Sequence, residues 1–275
     1  MEIIKYVAQF ENMVDNKIIG MPNLIDSEIK FDGKDNILFC ANNIQLENVV
    51  FHFKGDNSIV YLCSSLKHKF ELTICSDSVM FLGRNNEFGD SISVNVFENQ
   101  NVVIGDDCII GNNVNITTSD CCPIYDNGSK SRLNFSNNVL IGDHVMIGNN
   151  VFISKGVKIG SGTIIDNASF VPSNVKIHSN LLISGNPARI IHKNVFFVNS
   201  HIDSFGLEDS LNSKKYKSDV FIFNEVDKET LSINKINEII CELDVESTLE
   251  FLQKLFVLNR RKNRFSIDLK NIPEE

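Results

Sequence analysis

The chain has 275 residues, of which 43% are hydrophobic and 22% charged, with a formal net charge of −9. That length supplies core for one large domain or a domain with an appendage, while the acidic balance and the lack of a nucleic-acid reader motif argue against nucleic acid as a partner. No stretch approaches the roughly 18 apolar residues of a membrane span, and the opening MEIIKYVAQFENMVDNKIIG lacks the basic and apolar regions of a signal peptide.

Residues 1–17 read as a short helix or strand that covers an open end of whatever follows. From Ile18 to Gln100, short apolar runs (Ile37-Leu38-Phe39, Val49-Val50-Phe51, Ile59-Val60-Tyr61-Leu62, Val79-Met80-Phe81-Leu82) alternate with Asn, Asp, Gly and Ser. These are strands and turns. A stricter rhythm begins at Ile104, Ile110 and Ile116, stops at TTSDCCPIYDNG (Thr117–Gly128), and resumes from Ile141 to Ile177 as IGDHVM, IGNNVF, ISKGVK, IGSGTI, IDNASF, VPSNVK, IHSNLL. A period of six fits neither a 3.6-residue helix nor an alternating strand of an open sheet. It fits a solenoid of triangular section, one hexapeptide per side and about eighteen residues per coil, with Ile or Val inside and Gly, Asn or Asp at the turns. The looser segment 18–100 is read as earlier coils of the same solenoid, stacked over one aliphatic core.

After Lys193 the character changes. NSHIDSFGLEDSLNSKKYKSD is polar and reads as a linker. Leu231, Ile236, Ile239, Ile240 and Leu243 have helical spacing, and Ser247 with Glu250 form a capping-box pattern before Leu249, Leu252, Leu255 and Phe256. The basic run Arg260–Arg264 reads as a solvated helix end, or as a docking surface for an anionic glycan or for peripheral contact with a membrane. The expected architecture is an all-β solenoid, a parallel β-helix over 1–197 with a protruding loop 117–138, followed by a linker and small helical appendage over 198–275.

The hexapeptides, the run TTSDCCPIYDNGSKSRLN, and the later IGDHVMIG, GVKIGSGTIIDNAS and SGNPARII resemble the hexapeptide-repeat O-acetyltransferases, whose solenoid is a left-handed β-helix. The resemblance covers about residues 18–197, and NILFCANNIQLENVVFHFKGDNSIVYL looks most like the capsular-polysaccharide and sialic-acid branch. It implies a cytoplasmic homotrimer that moves an acetyl group from acetyl-CoA to a sugar hydroxyl of a bacterial surface glycan, with no metal. In that family the interrupting loop reaches a neighbouring subunit and carries a histidine general base in a pattern like Ser-Asp-x-His-x-Ile-Tyr-Asp. The base is needed because an alcohol is a weak nucleophile at neutral pH. A carbonic-anhydrase-like metal enzyme shares the fold class, but His52, His68, His144, His178, His192 and His201 show no ligand cluster in the sequence.

The frame here is Ser119-Asp120-Cys121-Cys122-Pro123-Ile124-Tyr125-Asp126, so Cys122 stands where the resemblance puts the histidine. Met146 stands where tryptophan is common, and Asn167 where a small residue is usual. Three readings of Cys122 stay open: a structural thiol, a base or acyl-accepting nucleophile, which needs thiolate character, or a bystander while another residue such as His144 is the base. Asp120 orients the base or holds acceptor hydroxyls, or is an Asx-turn residue. By the same resemblance Met146, Asn149 and Asn167 match positions of the coenzyme groove, although Asn is also a generic turn residue in such coils, and Arg189 and Lys193 either meet the coenzyme phosphates or are surface cations. A scaffold trimer without the base is the alternative to an enzyme. The seven cysteines lack CxxC spacing and are expected to be reduced thiols, most of them buried.

Overall fold

The structure is a computed structural model and describes residues 2–65, 67–200, 202–226 and 229–268; His201 lies outside the described residues. The chain winds into a three-sided solenoid. Two sides are eight-stranded sheets and the third is a six-stranded sheet preceded by a two-stranded one. The first sheet runs from Glu2–Ile4 to Phe170–Val171, the second from Lys17–Ile19 to Lys176–Ile177, and the third from Glu87–Phe88 to Ala188–Lys193. Neighbouring strands are parallel, one coil apart, except at the ends: Glu2–Ile4 pairs antiparallel with Glu28–Phe31, and Leu181–Gly185 with Ala188–Lys193.

The rhythm of six is visible in the packing. Ile104, Ile110, Ile116, Ile141, Ile147, Ile153, Ile159, Ile165, Val171, Ile177 and Ile183 are all buried in one continuous core. The fourth residue of each hexad takes the left-handed conformation: Asp107, Asn113, His144, Asn150, Gly156, Gly162, Ala168, Asn174 and Asn180 have φ between 54° and 75°. Asn, Asp and Gly suit that position because they tolerate positive φ. The second position is Gly where coils press together. A Cβ on Gly142 would stand 2.7 Å from the Ser161 nitrogen of the next coil. The third position supplies a ladder: Asn112 N donates to Asn149 Oδ1 (2.8 Å) and Asn149 N to Asn167 Oδ1 (2.7 Å).

Residues 18–100 are coils of the same solenoid, but wider. Cys108 N reaches Asn86 Oδ1 across 22 residues, whereas Asp143 N reaches Ser161 Oγ across 18. The extra width is filled by rings, with Phe31 and Phe53 stacked at 4.6 Å. The N-terminal cover holds both expected elements, a strand Glu2–Ile4 and a 3-10 helix Val7–Asn12.

The C-terminal segment is not a simple appendage on a polar linker. A 3-10 turn Ile202–Ser204 and helix α1 (Leu207–Asn212) interrupt the stretch read as linker. Helices α2 (Ile233–Glu242) and α3 (Val245–Leu252), with a π-helical continuation Gln253–Val257, lie on the outer face of the second sheet. Ile236, Ile240, Leu252 and Phe256 pack there against Ile59, Tyr61, Val79, Phe81 and Leu140. A ring ladder runs outward from Tyr61 to Phe81 (5.4 Å) to Phe256 (4.7 Å) to Phe265 (5.7 Å).

Two expectations are corrected here. The cap of α3 is Asp244, which accepts from Ser247 N (2.7 Å), so Ser247 is inside the helix; a carboxylate three residues earlier meets the free N–H groups and the helix dipole. Arg264 is not solvated. It is 1% exposed and ends in a carboxylate pair on the solenoid corner. The cysteines also divide differently: Cys40, Cys63 and Cys108 are buried, Cys75 is half-buried, and Cys121, Cys122 and Cys241 are exposed.

Candidate active site

Between Thr117 and Val139 the coil opens at the corner joining the first sheet to the second. The offset between stacked residues there is 37 instead of 18. The loop leaves and returns through one point, where Asn137 N donates to Thr118 O (3.0 Å). Its outer part is a small hairpin, with Leu133 N bonded to Ile124 O (2.8 Å) and Tyr125 bridged to Arg132. The Asp126 carboxylate closes the turn by accepting from Ser129 N (2.7 Å), Ser129 Oγ (2.8 Å) and Gly128 N (3.1 Å).

Three side chains that the sequence reading gave no role fix this loop. Arg132 donates both Nη atoms to Glu98 on the preceding coil, at 2.6 and 2.8 Å. Hydrogen bonds from Arg132 and then Ser136 hold the Glu98 carboxyl down at about 2. Lys155, nearly buried one coil below, bonds Asp120 Oδ2. That bond, with a smaller contribution from Asn134, keeps the Asp120 carboxyl below the usual carboxylate range. Asn134 Nδ2 also donates to Asp120 Oδ2 and Cys122 O, both at 2.9 Å, so one amide ties the two candidate residues together. Arg132 and Asn134 belong to the RLN run quoted above; their roles needed coordinates because both partners are distant in sequence.

Cys122 is exposed, its backbone N bonded to Asp120 O (2.8 Å). Cys121 before it has φ 67° and donates N–H to Ser119 Oγ (3.1 Å). Ser119, Asp120 and Cys122 are therefore held in a tight turn, with Ser119 buried and Asp120 and Cys122 open to solvent.

The other candidates lie elsewhere on the protomer. His144 sits on the corner between the second and third sheets, sandwiched between Phe197 (4.0 Å, 1°) and Phe221 (4.2 Å, 9°). Its Nε2 meets Phe197 O at 3.0 Å, and burial lowers its pKa, so the ring is neutral and enclosed. The structure does not bring it to Cys122. Met146 lies half-buried on the third sheet, and Asn149 and Asn167 are exposed on the corner between the third and first sheets, their oxygens engaged in the ladder. Arg189 and Lys193 lie on the closing strand Ala188–Lys193, and both are exposed. Within one protomer the loop, the His144 corner and the Asn corner are thus on three separate edges.

A parallel hexapeptide solenoid broken by a protruding loop matches the left-handed β-helix architecture of the hexapeptide acetyltransferases. No protein-family profile matches the chain. A polysialic acid O-acetyltransferase of Escherichia coli O1:K1 is 36% identical over 131 residues, 48% of this chain and 42% of that protein. One from Neisseria meningitidis is 25% identical over 125 residues, 45% of this chain and 58% of that protein. The chain therefore spans about half the length of the curated relatives it matches. The crystal structure of the polysialic-acid-specific acetyltransferase NeuO superposes with TM-score 0.63 and 31% identity, covering 73% of this chain and 94% of that one. The polysialic acid O-acetyltransferase OatWY shares the fold with TM-score 0.54 and 23% identity, covering 72% of this chain and 98% of that one. The chain belongs to the hexapeptide-repeat acetyltransferase family of which NeuO is a member.

Proposed function

We propose that this protein transfers an acetyl group from acetyl-CoA to a hydroxyl of a sialic-acid-containing bacterial surface glycan. The observation that carries this is the likeness to NeuO over 94% of that chain, together with an interrupting loop that is held here as a hairpin. The sugar oxygen attacks the thioester carbonyl, the C–S bond breaks, and the hydroxyl proton passes through a base to the departing CoA thiolate. Cys122 occupies the base position. Lys155 and Asn134 hold Asp120 beside it as a fixed carboxylate. Arg189 and Lys193 meet the coenzyme phosphates, and Met146, Asn149 and Asn167 line its groove.

The working form is a homotrimer, with the hairpin of one subunit reaching the coenzyme groove of the next. This assembly brings the loop edge of one protomer to the Asn edge of another. It also covers Ile124, Tyr125, Leu133 and Phe135, which are 53–66% exposed in the protomer. Among the described residues no helix is long and apolar enough to cross a membrane; acetyl-CoA as donor places the reaction in the cytoplasm.

The test is acetyl transfer from labelled acetyl-CoA to polysialic acid, read by mass of the glycan, for the natural protein, Cys122→Ala and Cys122→His. Slow acceptor-dependent transfer is expected from the natural protein, and a rise of roughly 10²-fold for Cys122→His, which restores a general base. No transfer by the natural protein or by Cys122→His, with trimer and CoA binding intact, would leave a scaffold in place of an enzyme.

A further inference from the structure

A second site lies on the His144 corner, away from the loop. The segments around 219–223 and 260–264 meet there and form, with the solenoid, a cleft of about 500 Å³. Its wall carries two layers of cations. The inner layer is spent: Arg264 binds Asp143 at 2.7 and 2.8 Å and Asp106 at 2.9 Å, and Arg84 lies 3.5 Å from Asp106. The outer layer is free for a ligand. Arg260 and Lys262 are exposed and pair with no carboxylate among the described residues. Lys262 is nevertheless held in place, its Nζ bonded to Asp219 O (2.6 Å) and 5.7 Å from the centre of the Phe223 ring. The floor is aromatic, built from Phe221 and Phe223 around His144. Polar acceptors remain at the edge, where the exposed Asp107 carboxylate accepts from Asn85 Nδ2 (3.1 Å).

We infer that this cleft binds a carboxylate-bearing stretch of the acceptor glycan, outside the transfer centre. The inference rests on the proposed function for the identity of that glycan. The chemistry matches a sialic acid polymer at each point. Every unit carries one carboxylate, which Arg260 and Lys262 can pair with by charge-assisted bonds. Every unit also presents hydroxyls that can donate to Asp107, and C–H faces that can lie on Phe221. A compact dianion such as phosphate fits less well, because Asp107 stays at the edge. The recess has the volume of small-ligand sites, whereas a lipid surface would be met by a protruding face. In a chain of net charge −9 this corner attracts a polyanion that the rest of the surface repels.

The experiment compares the natural chain with the double variant Arg260→Glu/Lys262→Glu, after confirming equal thermal unfolding. The probes are a short polysialic acid oligomer, a neutral glucan of similar length, and vesicles of phosphatidylglycerol with phosphatidylcholine. Binding of the sialic oligomer alone is expected, weakening with salt. The double variant should bind it about 10- to 100-fold less well, the loss of two charged contacts only partly satisfied by water. In the transfer assay it should raise KM for the polymer without changing kcat, and leave a monomeric sialoside unaffected. Oligomer binding unchanged by the variant overturns the inference, as does vesicle binding without oligomer binding, which would make the corner a membrane contact. Variant-sensitive oligomer binding without any acetyl transfer upholds the cleft and sinks the proposed function. Transfer with a variant-insensitive KM does the reverse.

Discussion

Replacing Arg264 by Met should detach the C-terminal helices while leaving the solenoid wound. The guanidinium is enclosed and donates to Asp143 (2.7 and 2.8 Å), to Phe256 O (2.5 Å) and to Asn259 O (2.7 Å). Burial works against its charge, but the hydrogen bonds to Asp143 and the charges of Asp143 and Asp106 more than offset this and raise its pKa. Burial likewise pushes the Asp143 carboxyl up, and Arg264 pulls against that shift; the bidentate geometry makes the pair ionic. Methionine fills much of the volume and leaves Asp143 as a buried carboxylate without its partner. Breaking a buried pair from one side costs about 3–5 kcal/mol. The α2 and α3 contacts with the second sheet are the part that Arg264 secures, so the loss should appear there as local opening. Hydrogen exchange over residues 233–258 should accelerate by roughly 10²-fold or more, with protection of residues 141–177 unchanged. Arg264→Lys should lose less, since it keeps the charge and forfeits the fork. Adding Asp143→Asn to Arg264→Met should recover part of the loss, because the orphaned charge is gone. Unchanged exchange over 233–258 in Arg264→Met would refute the idea that this residue fastens the helices.

Three further outcomes follow from particular contacts. His68 is wholly buried beside Phe88, and burial depresses its pKa to about 4. Its contribution is therefore present above the ordinary value of 6.5 and is lost as pH falls toward 4. That is about 3 kcal/mol at most, and His68→Leu should flatten urea-measured stability across this window. The Glu98 carboxyl is depressed from 4.5 to about 2, so its hold on the loop is present above 4.5 and lost as pH falls through 2. Proteolysis within 124–133 should quicken over that range, and Glu98→Gln should show the faster rate already at pH 7. Ala168 keeps a Cβ at φ 55°, where its counterparts are Asn, Asp, Gly or His; Ala168→Gly should raise the unfolding free energy by about 1 kcal/mol, and a lowered melting temperature would count against strain there.

The fold was legible because each hexad makes the same local decision. Ile in, Gly against the next coil, and Asn or Gly at positive φ are choices that six residues can express. The covering of the second sheet was also written in the sequence. Ile59–Leu62 and Val79–Leu82 are apolar at every position and buried at every position, as strands are when both faces are packed. What was not legible is whatever joins distant segments. Arg264 looks like one more surface cation until Asp143, 121 residues earlier, is placed opposite it. Lys155 and Glu98 are ordinary turn residues until the loop folds back on them. His144 illustrates the opposite error of emphasis: it occupies an Asn-type turn position, and Phe197 and Phe221 close over it only from the C-terminal segment.

The clasp between Arg264 and Asp143 also sets an order of events during biosynthesis. Asp143 leaves the ribosome 121 residues before its partner. At about 5–20 residues per second, that interval is on the order of ten seconds. The coils can wind in this time, since each needs only its neighbour, but the outer surface of the second sheet stays bare. Tyr61, Phe81 and Leu140 then face water as an aromatic and aliphatic strip on a half-made chain. Nascent chains on one polysome carry this strip close together. The helices that hide it are made only after the coils, so each nascent chain passes through an interval in which this strip is open to its neighbours.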